Sequence, residues 1–319
     1  MTAPWDALRE MLSHPFMAHA FLAGTFVALA AGLVGYFLVQ RGQVFTGDAL
    51  SHVAFTGALA GLAFGVSATA GLLVATLLVA LALGVLGRRG RPDDVVIGGV
   101  FAWVLGLGVL FLSLYTTRRS GANGTAGVNV LFGSVLGLDA GAALVTAVVG
   151  LAVGATMLAL ARPLLFATMD EAVAAARGVP VRVLGFAFLG LVGLTAAEAT
   201  RVVGALLILG LLATPAGAAV RLSARPLRAL GVSAGIAVGS VWVGLTASYA
   251  VPHLPPSFSV LAVATAVYAL ASAVSALRDR GRPFRPSVSD ASATLADLHL
   301  GGSDVPDRSP RPADPSRSR

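Results

Sequence analysis

The chain has 319 residues, of which 56% are hydrophobic and 12% are charged, and its mean hydropathy is +0.85. Soluble globular domains carry about a quarter charged residues, so this composition excludes an ordinary soluble protein and indicates several membrane spans. The formal net charge is +7, and cysteine is absent, which excludes disulfides, cysteine-based zinc sites and thiol catalysis.

Apolar stretches recur along the chain at about 20 residues each, the length that crosses a bilayer. A short segment before them, residues 1–14, is expected to lie at the membrane interface. The stretches predict an all-α, polytopic integral membrane protein with about nine transmembrane helices, and those that begin at Ala49 and Val203 also fit re-entrant segments. The predicted spans are Met17–Val39, Ala49–Val66, Ala68–Leu86, Val95–Leu114, Ala140–Leu160, Val181–Thr200, Val203–Val220, Leu227–Val251 and Phe258–Leu277.

Arginine positions predict the orientation, because positively charged connections stay in the cytoplasm. All 22 basic residues are arginines. Their distribution over the loops explains the net charge without a nucleic-acid partner. From Arg278 to the end, the chain is polar and is expected to be a disordered cytoplasmic tail, residues 278–319. The arginines assigned to cytoplasmic connections are Arg41, Arg88, Arg89, Arg91, Arg162, Arg177, Arg221 and Arg225; those assigned to outer connections are Arg118, Arg119 and Arg201.

Asp48 and His52 stand at the start of the second predicted span, four residues apart. On a helix they share one face, with Cβ atoms about 6 Å apart. The pair would offer an oxygen and a nitrogen ligand to a divalent metal ion. Two structural alternatives are open: Asp48 caps the helix that follows, or His52 is a buried histidine bonded to a carbonyl group.

Gly57, Gly61 and Gly65 recur every fourth residue in the same span. A stripe of small residues lets two membrane helices approach closely, so we expect helix packing along this face. Gly231, Gly235 and Gly239 form a second stripe of the same kind, within the chain or between copies of it.

Asp170 to Arg177 form a short helix-compatible run in the long connection between Arg162 and Arg182, closed by Gly178 and Pro180. By itself, this run also fits a solvated connector.

Pro215 removes a backbone hydrogen bond late in its predicted span. It either kinks the helix, as a gate would, or simply ends it. Glu198 and Arg201, three residues apart in an apolar region, are expected to pair with each other, and a role for Glu198 in attracting cations is a further option.

The chain lacks the phosphate-binding motif G-x-x-x-x-G-K-[ST] and the metalloprotease motif H-E-x-x-H. It is therefore not expected to hydrolyse ATP itself or to act as a metal-dependent protease.

Five stretches resemble, in order, the permease subunits of ABC-type zinc, manganese and iron importers. The resemblance covers Pro15 to about Val274. The matching stretches are G-D-A-L-S-H at Gly47–His52, D-D-V-V-I-G-G-V-F at Asp93–Phe101, L-F-G-S-V-L-G at Leu131–Gly137, D-E-A-V-A-A-A-R-G-V-P at Asp170–Pro180 and V-G-A-L-L-I-L-G-L-L-A-T-P-A at Val203–Ala216.

The resemblance implies a fold like that of type II ABC importer permeases and a multi-pass position in a bacterial cell membrane. It implies that Asp48 and His52 form a transient pathway site for the transported metal, with no permanently bound cofactor. Asp170, Ala174 and Gly178 match the helix that couples the permease to its ATPase. The implied partners are an ABC ATPase, an extracytoplasmic metal-binding protein and a second copy of the chain.

The transported ion is expected to be a divalent transition metal, with zinc slightly favoured over manganese and iron. Two alternatives are a secondary, ion-coupled metal transporter and an ABC permease for a metal chelate such as a siderophore or corrinoid. A secondary transporter would be expected to carry several carboxylates inside the membrane, and only Asp48 and Glu198 qualify.

Overall fold

The computed structural model describes Met11 and residues 13–87, 92–118, 131, 133–205, 207–251 and 253–280. Across these residues the chain is all-α, with ten α-helices, one short 3-10 helix at Val135–Gly137 and no strand. The helices are α1 (Pro15–Gln40), α2 (Val44–Ala63), α3 (Ala68–Leu86), α4 (Asp94–Arg118), α5 (Ala140–Met169), α6 (Glu171–Ala176), α7 (Val181–Val202), α8 (Ile208–Leu222), α9 (Pro226–Ala250) and α10 (Pro256–Arg280).

Contacts divide the chain into two units, Met1–Ser275 and Ala276–Arg319, and the described part of the second unit is the end of α10. The predicted interfacial segment 1–14 and tail 278–319 lie almost entirely outside the described residues. So do four arginines on which the predicted orientation partly depends: Arg88, Arg89, Arg91 and Arg119.

Seven described helices are long and apolar enough to cross a membrane: α1, α3, α4, α5, α7, α9 and α10. The predicted number of nine is therefore not confirmed. The other two predicted spans correspond to α2, which carries the polar side chains of Asp48, Ser51 and His52, and to α8, which has only 15 residues. These are the two stretches whose sequences also fitted re-entrant segments.

Helix α1 forms the centre of the bundle and packs against α5, α7, α8 and α9. Several of its large side chains, among them Tyr36 and Phe37, are fully buried. Small residues bring its neighbours close: a Cβ atom at Gly32 would lie 2.7 Å from the Ala234 Cα atom. The tight approach leaves no room for a side chain at Gly32, so its glycine is required by packing.

Contacts along the helices fix their relative directions. Gly154 of α5 approaches Leu29 and Leu33 of α1, and Gly150 approaches Phe26, so α1 and α5 run parallel. Helix α2 returns in the opposite direction, and α4 runs parallel to it, because the Thr56 hydroxyl donates to the Val104 carbonyl at 3.1 Å and His52 packs on Phe101. Several helices therefore begin or end at the same end of the bundle, which we call the α6 end. The helix-terminal residues there are Gln40, Val44, Leu86, Asp94, Met169, Val181, Leu222 and Pro226.

Two of the three glycines predicted to form a packing stripe lie at the contact between α2 and α3. A Cβ atom at Gly57 would lie 2.6 Å from the Gly71 carbonyl oxygen, and one at Gly61 would lie 2.8 Å from the Ser67 carbonyl oxygen. Gly65 lies beyond the end of α2, in a turn where its φ is +79°. The stripe thus ends at Gly61, and Gly65 serves the turn.

Candidate functional site

Asp48 lies inside α2, away from the helix end. The helix begins at Val44, and its N-cap is Gln43, which makes no side-chain capping bond. A capping side chain must precede the first helical residue to reach the free N–H groups there. Asp48 is the fifth residue of the helix, so the structural alternative that it caps the helix is wrong.

His52 lies one turn further along the same face of α2. Its ring packs edge-on against Phe101 of α4, with ring centroids 5.1 Å apart. Within the described part of the chain, its imidazole makes no hydrogen bond to a carbonyl group, so the second structural alternative also fails there. Asp48 and His52 are both half-buried and interact electrostatically.

A cavity of about 370 Å³ lies between α2 and α4 beside this pair. Asp48 lies in its wall, and the ring of Phe101 joins the cavity to His52. Apart from two aspartates, the described lining is apolar. The lining residues are Phe45, Asp48, Ala49, Asp94, Ile97, Gly98 and Phe101.

The pair provides two ligands of different kinds, a carboxylate and an imidazole. Manganese, iron and zinc ions all accept this combination. No group of three or more histidine, aspartate or glutamate side chains placed to hold a metal ion occurs among the described residues. Two ligands bind weakly, which suits a place where an ion is passed on, because a pathway ligand must release its ion as well as capture it.

The short helix α6 is held by the residues that the sequence singled out. The Asp170 side chain caps it by accepting the Val173 N–H at 2.9 Å, and Gly178 follows it with a φ of +84°. Ala174 is fully buried against the core, so its side chain anchors α6 and is not presented to a partner. The exposed face consists of Ala172, Val173, Ala175 and Ala176, followed by Arg177.

Glu198 and Arg201 form the predicted pair. Their side chains meet at 3.2 Å, and the Thr146 hydroxyl of α5 donates to the same carboxylate oxygen at 2.7 Å. Glu198 is only 2% exposed. It does not line the cavity between α2 and α4. The pair therefore ties α7 to α5 near the end of the bundle opposite the α6 end.

Pro215 is buried inside α8, which continues for seven residues beyond it. The alternative that Pro215 merely ends its span is therefore wrong, and a gating role stays a prediction. Helix α8 begins at Ile208, five residues after the predicted start of its span at Val203. The chain breaks after α7, where Gly204 has a φ of +98° and the Ser51 hydroxyl donates to the Ala205 carbonyl oxygen at 3.1 Å. The sequence signal for that break was Gly204 itself.

Comparison with known proteins gives consistent similarities over most of the chain. The sequence model of the ABC 3 transport family matches residues 13–275. The chain is 30% identical over 266 residues to "Manganese transport system membrane protein MntC" of Halalkalibacterium halodurans, covering 82% of this chain and 88% of that protein. It is 26% identical to "Probable iron transport system membrane protein" of Haemophilus influenzae, covering 86% of this chain and 100% of that protein.

Among solved structures, the chain resembles one chain of the structure "PsaBC from Streptococcus pneumoniae in complex with Fab". The TM-score is 0.72 at 24% identity, and the match covers 84% of this chain and 95% of that one. At this identity, the likeness establishes the fold.

Proposed function

The chain belongs to the ABC 3 transport family, and we propose that it is the permease subunit of an ATP-driven importer whose cargo is a divalent transition-metal ion. Members of this family are membrane subunits without enzymatic activity of their own, and a separate subunit hydrolyses ATP. The observation that carries the proposal is the position of Asp48 and His52 on one face of α2, beside a cavity at the α6 end.

A membrane helix rarely carries an aspartate and a histidine unless they have a function, because burying ionisable groups in the bilayer is unfavourable. Capping does not explain Asp48, and a carbonyl partner does not explain His52. Coordination of a passing metal ion explains both residue types and their spacing.

Manganese is the first ion to test. The relatives described above carry manganese and iron in their names. The slight sequence-based preference for zinc has no such support. Carboxylate and imidazole ligands accept all three ions, so selectivity is expected to depend also on the protein that delivers the metal.

The proposed complex contains two copies of this chain, two ABC ATPase subunits and an extracytoplasmic metal-binding protein, in a bacterial cell membrane. The ATPase would dock at α6, so the α6 end would face the cytoplasm. ATP binding would then shift the pair of chains between outward-open and inward-open states.

A secondary transporter is less well supported. Of the two carboxylates that the sequence offered for ion coupling, Glu198 is held by Arg201 and Thr146. Of these two, Asp48 alone faces the cavity. Glu198 is therefore not available to couple ion movement at this cavity.

The two glycine stripes suggest where a second copy would pack. Gly57 lies in a tight contact within the chain, whereas Gly231, Gly235 and Gly239 are exposed, and a Cβ atom at any of them meets nothing within 4 Å. We expect Gly57→Leu to lower the yield of folded protein, since overpacking destabilises by about 1–3 kcal/mol. Gly235→Leu should leave the folded chain intact and reduce cross-linking between copies. If the Gly235→Leu variant is cross-linked as well as the wild type, this stripe does not lie between the two copies.

The proposed function is tested by ion accumulation in a bacterium that lacks its own manganese, iron and zinc importers. The chain is expressed with its ATPase and binding-protein partners, and each ion is measured separately in the cells. We expect accumulation of at least one of the three ions only when all partners are present. Accumulation of none of them, together with uptake of a metal chelate, would favour the chelate permease.

A further inference from the structure

The cavity beside Asp48 has a second carboxylate in its wall, Asp94 of α4. Among the described residues, these two carboxylates are the only charged groups that line the cavity, and they reach it from different helices. Asp94 is exposed, whereas Asp48 is half-buried. The cavity therefore has a deeper carboxylate and a more open one.

Asp94 does not cap its helix, although it stands at the helix start. The preceding residue, Asp93, is the cap, because its Oδ1 atom accepts the Val96 N–H at 2.9 Å and its backbone carbonyl accepts the Ile97 N–H at 3.0 Å. The two adjacent aspartates thus have different surroundings. One carboxylate is used by the backbone of α4, and the other lines the cavity.

Asp94 lies nearer to the α6 end than Asp48 does. Helices α2 and α4 run parallel, with His52 level with Phe101 and Thr56 level with Val104. In this register Asp94 is level with Phe45, three residues before Asp48. At 1.5 Å per residue, that offset is about 5 Å along the helix axis.

We propose that Asp94 is the exit ligand of the metal pathway, receiving the ion from Asp48 and His52 and releasing it at the α6 end. This inference rests on the proposed function. In an otherwise apolar cavity, a carboxylate about one turn away lowers the barrier for an ion to leave its first site. Its exposure lets water complete the coordination shell of the departing ion.

The arrangement favours two successive positions over one shared site. No three metal-binding side chains are gathered among the described residues, so Asp94 does not join Asp48 and His52 in a single coordination shell. Successive weak sites allow an ion to move on, whereas a closed shell of several protein ligands would hold it.

The tandem aspartates supply a matched pair of variants. Asp94→Asn removes the charge from the cavity, and Asp93→Asn removes one charge next to it while keeping a residue that caps helices as well as aspartate does. Asp94→Glu restores the carboxylate. Each variant is expressed in the full complex, its amount in the membrane is measured, and initial rates of manganese uptake are recorded over a range of concentrations.

We expect Asp94→Asn to lower the maximal uptake rate by about tenfold, the equivalent of one lost polar contact. The concentration for half-maximal uptake should change little, because capture precedes the exit step. Asp93→Asn should remain within about twofold of the wild type, and Asp94→Glu should recover most of the rate.

Two results would overturn the exit role: equal rates for Asp94→Asn and Asp93→Asn, or equal losses for Asp94→Asn and Asp94→Glu. The proposed function has a separate control in the same assay, Asp48→Asn. Normal uptake by Asp48→Asn contradicts the metal site itself. Loss of uptake by Asp48→Asn together with normal uptake by Asp94→Asn contradicts only the exit ligand.

Discussion

Asp48→Asn should abolish metal uptake while leaving the amount of protein in the membrane unchanged. Asparagine keeps the size and much of the hydrogen-bonding capacity of aspartate and removes the charge that attracts a cation. Because Asp48 lies inside α2 and caps nothing, the helix loses no stabilising bond. We expect uptake to fall about a hundredfold or more, in line with the loss of a group that controls metal affinity.

A matched control for this change is Asp139→Asn. Asp139 caps α5 by accepting the Ala142 N–H at 2.6 Å, and asparagine is an equally good capping residue. Uptake per membrane-inserted chain should therefore stay close to the wild type. His52→Gln should resemble Asp48→Asn. Near-normal uptake by Asp48→Asn, at equal expression, would show that Asp48 and His52 have a structural role and do not bind the transported metal.

Val173→Arg should weaken binding of the ATPase and thereby reduce ATP-driven uptake. Val173 lies on the exposed face of α6, where it is 44% accessible, and it neither caps the helix nor forms its closing turn with its side chain. An arginine there would place a charge in the proposed apolar contact with the ATPase. We expect the ATPase to co-purify poorly and uptake to fall severely, while the chain remains folded and inserted.

Val183→Arg is the control for the docking surface. Val183 is also exposed and lies at the beginning of α7, near the same end of the bundle. The adjacent residue, Arg182, is an exposed arginine, so the chain already carries this side chain next to Val183. This variant should bind the ATPase normally. If Val173→Arg retains the ATPase and transports like Val183→Arg, docking occurs elsewhere. Asp170→Arg and Gly178→Trp would be poorer tests, because they remove a cap and strain a turn.

Long apolar helices were predictable from the sequence because lipid and core select the same side chains along the whole element. Helix α3 has the predicted bounds, Ala68–Leu86. The predicted start of α2 at Ala49 is five residues too late, because Asp48 also fitted a capping residue just before the helix. The helix begins at Val44 without a capping side chain, and Gly47 lies in close contact with Leu38 and Leu212. Packing outweighs the local signal there.

The candidate site was predictable only in part. Asp48 and His52 are one helical turn apart, so their shared face follows from sequence spacing alone. Asp94 is 46 residues away in sequence and reaches the cavity only because α4 packs beside α2. Its neighbour Asp93 has the same side chain, and only the folded backbone distinguishes the capping carboxylate from the one in the cavity.

The most direct test of metal transport by this chain is uptake into proteoliposomes. Purified chain is reconstituted with its ATPase and supplied with manganese-loaded binding protein outside and ATP at the nucleotide-binding side. We predict manganese accumulation above the external concentration that requires both ATP and the ATPase and is lost with Asp48→Asn. Accumulation by the chain alone, driven by a proton gradient without ATP, would contradict the account.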